Sequence, residues 1–173
     1  MSDPARPFDR GRPRPVVTVL DMLRTRIDHD DFDAVIFSLG AVAADLGYRD
    51  VRPLPGSIAW IDRLRREGKR VAVLASGERV AAARELAAIA DRFDVIVTGS
   101  QVEQLVAGAL DQLGVQADRA VVVGVEPSDL EAARAAGAVL AIGIARGKCS
   151  PEQLGRAGAD TVVADLQELL GPT

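Results

Sequence analysis

Ser38-Leu39-Gly40 closes a run of apolar residues, Ala34 to Phe37, and puts a hydroxyl where a strand should end. A hydroxyl there can bind an anion, or act as a nucleophile if a base stands beside it. Ser76, followed by Gly77, closes the apolar run Arg70–Ala75 in the same way. Ser38, Gly40, Ser76 and Gly77 would then stand together past the strand ends, where hydroxyls and backbone N–H groups could hold an anion. A base is harder to find. The sole histidine, His29, precedes the first run. A strand of six residues spans ~20 Å, which puts His29 at the opposite edge of the sheet. The acids near strand ends are Asp45, Glu126 and Asp129. Glu126, just before Pro127, reads as a helix start with acids at the positive end of the helix dipole. Cys149, next to Lys148 in a loop, has the setting of a reactive thiol, but a lone loop cysteine is more often incidental.

These residues need strands to carry them and helices to cover those strands. Ala34–Phe37 is apolar without alternation, rich in β-branched residues and bounded by Asp33 and Gly40, as suits a parallel strand buried on both faces. Further strands are expected over Arg70–Ala75, Phe93–Val97, Arg119–Val123 and Val139–Ile144, with a short edge strand over Thr161–Val163. Helices are expected from Ser57, as N-cap, to about Glu67, and over Glu78–Ala90, Val102–Leu113, Pro127–Ala136, Pro151–Ala157 and Leu166–Leu170. Ala41–Val51 is weakly patterned. Residues 1–15, with four prolines among four arginines, are expected to be a disordered arm. Residues 16–28 are expected to form an amphipathic leader helix. Residues 16–173 then make a single α/β domain with a doubly wound, mostly parallel sheet. In such sheets ligands bind past the carboxyl ends of the strands.

FDAVIFSLGAV, RPLPGSIAWIDRLRREGKRVAVLAS and DRAVVVGVEPSDLEAARAAGA together resemble the haloacid dehalogenase superfamily, in its β-phosphoglucomutase and sugar-phosphatase branch. The resemblance spans Phe32 to Leu170. It implies a phosphoryl-transfer core in which an Asp-x-Asp pair supplies nucleophile and acid/base, a lysine follows the third strand, and an acidic pair after the fourth strand completes a Mg²⁺ site. Here Ser38 and Gly40 stand at the Asp-x-Asp positions, and Ser76 matches the family's phosphate-binding hydroxyl. Thr98-Gly99-Ser100-Gln101 carries no lysine, and Gly124-Val125 stands where an acid is expected. Lys69 and Lys148, the only lysines, flank other strands. Too few residues separate Gly40 from Gly56 for a helical cap domain, although a small flap fits, so the chain is expected to be capless.

Composition limits the alternatives. The 173 residues are 48% hydrophobic but 3% aromatic, so the core must be aliphatic. A net charge of −4 gives no support for nucleic-acid or acidic-membrane binding. One cysteine allows no internal disulfide, as in a reducing cytoplasm, and no apolar run approaches the ~20 residues of a membrane span. Arginine far outnumbers lysine, a bacterial GC-rich signature. Gly124-Val125-Glu126 lacks a dinucleotide fingerprint, and Val97-Thr98 lacks the acceptor Asp of a response regulator. With acids missing from the family positions, the expectation is a catalytically inactive domain with no catalytic residues and a lost Mg²⁺ site. It would act by scaffolding or regulation, with a protein partner or as a homodimer. The alternatives are a phosphatase or phosphomutase using relocated carboxylates (Asp45, Glu126 or Asp129), and an anion-binding module without turnover.

Overall fold

A computed structural model describes residues 32–45, 51–53, 56–76, 91–145 and 149–164. The expected arm, leader helix, Glu78–Ala90 helix and Leu166–Leu170 helix lie outside the described residues, as do His29, Gly77 and Lys148.

Six parallel strands form one sheet: β1 (Ala34–Ser38), β4 (Arg70–Ser76), β5 (Val95–Gly99), β6 (Ala120–Gly124), β7 (Leu140–Ile144) and β8 (Thr161–Val163). Their order is β5-β4-β1-β6-β7-β8. Between β1 and the next long helix lie a single helical turn, α1 (Leu39–Val42), and two short strands, β2 (Ala43–Asp45) and β3 (Val51–Pro53). β2 and β3 pair antiparallel, Ala44 opposite Arg52. This is the small flap for which the sequence leaves room, in the stretch read as weakly patterned. The remaining helices are α2 (Ser57–Arg66), α3 (Val102–Leu113), α4 (Pro127–Ala136) and α5 (Pro151–Arg156).

The alternation of β1 divides the core into two. Val35 and Phe37 face one layer, with Trp60, Ile61 and Leu64 of α2. Ala34 and Ile36 face the other, with Leu105, Val106 and Leu113 of α3, Leu130 of α4 and Leu154 of α5. Strand side chains leave on opposite faces with period two, so a strand covered on both sides reads as one continuous apolar run. Phe37 and Trp60 meet edge to face at 5.2 Å between centroids, which anchors α2.

Several boundaries differ from the sequence expectation for local reasons. The third strand starts at Val95 rather than Phe93, because the Asp94 carboxylate accepts the Val71 N–H at 2.8 Å and Asp94 N–H donates to Val71 C=O. The N-cap of α2 is Gly56, at φ 81°, and Ser57 is buried as the first helical residue without serving as a side-chain cap. β5 alternates between half-buried and exposed residues, with Ile96 at 37% exposure, so at this edge both faces are not fully covered. At the strand starts Lys69 Nζ donates to Phe32 C=O at 2.6 Å and lies 4.3 Å from the centre of the Phe32 ring. Its ammonium is committed there, at the end of the sheet opposite Ser38. Among the described residues no helix is long and apolar enough to cross a membrane.

Candidate active site

The sheet order reverses at β1, whose neighbours β4 and β6 continue in opposite directions. Crossovers diverge there, so a crevice opens past the strand ends. Ser38 is the last residue of β1 and lies opposite Leu74 of β4. On the other side Phe37 is opposite Val123, which leaves Gly124 at the end of β6 beside Ser38. Ser76 ends β4 two residues past Leu74, opposite Gly99. Ser38 and Ser76 are therefore brought to the same edge of the sheet. Gly40 falls within α1, immediately after the strand.

Ser38 is buried, 9% exposed, and its Oγ has no hydrogen-bond partner. Buried hydroxyls are rarely left in this state, and each exception calls for an explanation. The group closest in kind is Asp129, 8% exposed, at the third position of α4. Its Oδ2 accepts the N–H groups of Val125 at 3.1 Å and Glu126 at 3.2 Å. The Glu126 side chain in turn accepts the Asp129 N–H, which closes a capping box in which a glutamate takes the usual serine's place. Burial pushes the Asp129 carboxyl above the ordinary carboxylate range. The two backbone N–H groups oppose that shift, the negative charge of Glu126 adds to it, and the Ser38 hydroxyl opposes it from close by, without a hydrogen bond of normal geometry. Both N–H groups converge on Oδ2.

The approach of Asp129 depends on Gly124. A Cβ on that residue would stand closer to the Asp129 Cβ than the 3.0 Å below which real Cβ atoms essentially never come. A glycine at the strand end and an acid at the third helical position thus act together: the first lets the second sit against the sheet.

The acids considered from sequence now separate. Asp45 is in β2 of the flap, opposite Val51. Glu126 is exposed and caps α4. Asp129 caps the helix too, as the sequence suggests, and is also the carboxyl beside Ser38. Sequence reasoning set it aside because either observation alone is an ordinary helix start. Cys149 is half-buried against the second core layer, in keeping with a packing role.

A model of the haloacid dehalogenase-like hydrolase family matches residues 21–142. The chain belongs to this family. Haloacid dehalogenase-like relatives include a trehalose-phosphate phosphatase from Mycobacterium leprae, 32% identical over 83% of this chain. The chain spans only 33% of that protein's length. A plasmid phosphoglycolate phosphatase from Cupriavidus necator is 31% identical over 98% of this chain and 79% of its own length. Among solved structures, one named for β-phosphoglucomutase, from Thermotoga maritima, superposes with a TM-score of 0.69 at 18% identity, covering 80% of this chain and 97% of that one. It establishes the fold.

Two expectations are corrected by these findings. The reading as a catalytically inactive scaffolding domain gives way, because the family is hydrolytic and the relatives are named as phosphatases. The reading of a lost Mg²⁺ site gives way with it. Both assumed that acids absent from positions 38 and 40 leave the site bare, whereas the fold supplies Asp129 beside Ser38. Mg²⁺ is ordinarily held by one or two carboxylates, with waters and substrate phosphate oxygens completing its shell. The Asp129 carboxyl and the Ser38 hydroxyl are hard oxygen donors of the kind that Mg²⁺ takes.

Proposed function

We propose that this chain is a phosphatase that cleaves small phosphate monoesters at the carboxyl ends of β1 and β6. The observation that carries the reading is the pair formed by the buried, unpartnered Ser38 hydroxyl and the buried Asp129 carboxyl at the topological switch point. The phosphatase names of its relatives support the same reaction class.

In this reading Ser38 Oγ–H donates to an oxygen of the substrate's phosphoryl group and orients it at the end of β1. The Val125 and Glu126 N–H groups hold Asp129 by Oδ2, which fixes where Oδ1 stands. Ser38 Oγ and Asp129 Oδ1 would hold Mg²⁺, which when bound neutralises charge on the phosphoryl oxygens. Burial of the pair keeps water from weakening these interactions. The α1 turn and the β2–β3 flap follow Ser38 directly in the chain, and in this reading they shield bound substrate.

Inorganic phosphate release, with Mg²⁺ present, tests this on a panel of monoesters that includes trehalose phosphate and phosphoglycolate. Turnover is expected, and Asp129→Asn and Ser38→Ala should each lower it by about a hundredfold, the usual effect of removing one preorganised electrostatic group. The amide in Asp129→Asn can still accept both N–H groups through its carbonyl, so loss of activity with cooperative unfolding retained would locate the defect in the site. No release above a buffer blank, or full activity in Asp129→Asn, would refute the proposal.

A further inference from the structure

We infer that Arg134, in the last turn of α4, is a positioning residue: its hold on Gly158 and Asp160 keeps the helix at the setting that places Asp129 beside Ser38. The inference rests on the phosphatase reading and concerns a residue remote from the chemistry.

The buried face of α4 gives the helix little to hold. It consists of Asp129, Leu130, Ala132 and Ala133, so Leu130 is its one large apolar side chain. That side chain lies over Gly143 of β7, where an added Cβ would stand 3.4 Å from Leu130 Cδ1. A helix is fixed on its neighbours where side chains form ridges that enter grooves. Alanines facing a glycine form neither, so the setting of α4 depends on its ends.

Both ends carry polar fixings. At the first turn Asp129 Oδ2 accepts the N–H groups of Val125 and Glu126, which ties the helix to the end of β6. At the last turn Arg134 Nε donates to the Gly158 carbonyl at 2.7 Å, and Nη2 donates to the Asp160 carboxylate. Asp160 is itself anchored: its Oδ2 accepts the Ala141 N–H of β7 at 2.8 Å, and its own N–H donates to Ala141 C=O. Gly158 leaves space for the arginine, since at φ 116° an added Cβ would stand 2.7 Å from Arg134 Cγ. A surface ion pair contributes little to stability, so this clamp acts on where the helix lies. Arg134 is about 7.5 Å of helix rise beyond Asp129. Releasing its end lets α4 turn about the fixing that remains, and Asp129 moves with it.

The test is Arg134→Met in the full chain, with Arg92→Met as control, because Arg92 forms a comparable surface pair with Asp62 of α2, away from α4. In Arg134→Met kcat for monoester release should fall about tenfold, less than the roughly hundredfold that a 1 Å misplacement can cost. Made in Asp129→Asn, the same change should cost less than about twofold, since no charge is left there to place. Amide hydrogen exchange at Val125 and Glu126 should quicken about tenfold in Arg134→Met, with cooperative unfolding retained, and stay unchanged in Arg92→Met. An unchanged kcat, an equal fall in both backgrounds, or unchanged exchange would overturn the inference. The two proposals fail separately, because exchange is read without turnover. A chain that releases no phosphate yet shows the quickened exchange loses the phosphatase reading alone; turnover untouched by Arg134→Met loses the inference alone.

Discussion

Replacing Gly124 by alanine is expected to cost about 3 kcal/mol of stability and to lower Tm by about 10 °C. Gly124 closes β6, opposite Gly143 in the ladder, and has no freedom to retreat within the sheet. The new methyl group would meet the Cβ of Asp129 inside any observed contact distance, and Oδ2 of the same residue at 3.1 Å. A Cβ cannot rotate away from its own backbone. The start of α4 would have to shift, and the bonds from Val125 and Glu126 N–H to Asp129 would be stretched. Phosphatase activity should fall with stability, because the displaced carboxyl is the one proposed to work. Gly155→Ala is the matching control. It lies inside α5 with nothing within 4 Å of the added Cβ, and is expected to be neutral or to stabilise by up to about 1 kcal/mol. Thermal melts of the two variants settle the comparison. If Gly124→Ala melts within about 2 °C of the unmodified chain, the close approach of Asp129 to the strand end is wrong.

Ser38→Asp is expected to destabilise the metal-free chain by about 3 kcal/mol at pH ~7. A second buried carboxyl beside Asp129 would lose its hydration and face a like charge, and both effects penalise the ionised form. The sign with pH follows. Burial already raises the Asp129 pKa above its ordinary value of 3.8. A carboxyl whose folded pKa exceeds its unfolded one contributes stability below the unfolded pKa and loses it as pH rises through the folded pKa. The variant's deficit should therefore be largest at neutral pH and shrink towards pH ~4. Asp33 behaves oppositely. Its bond to Arg119 lowers its pKa, so its contribution is present above the unfolded value and fades as pH falls through the folded one. That contribution is common to both chains and drops out of their difference. Urea unfolding in EDTA at several pH values measures this. A deficit that stays constant with pH, or grows in acid, would mean that residues 38 and 129 do not share one buried environment.

The sequence by itself determined the sheet. Ala34–Phe37, Arg70–Ala75 and Arg119–Val123 are continuous apolar runs, and a strand buried on both faces has no other way to look. Pro127 and Gly137 delimit α4 because proline suits a helix's first turn and Gly137 adopts the left-handed conformation that ends it, φ 84°. Ser38 and Ser76 were legible as strand-end hydroxyls for the same reason: each closes such a run. Two local features stayed hidden. The β2–β3 flap is too short to show a period, and the delayed start of β5 depends on the Asp94 carboxylate meeting Val71 of another strand.

What only the tertiary structure decided is the company Ser38 keeps. Asp129 is far away along the chain and carries the local marks of a helix cap, which it is. Parallel pairing of β1 with β6 sets Gly124 beside Ser38, and the missing side chain at Gly124 lets the first turn of α4 close over the strand end. A pattern along one segment records that segment's own periodicity and caps. A pair of residues on separate strand ends comes together through the register between them, which no single segment contains.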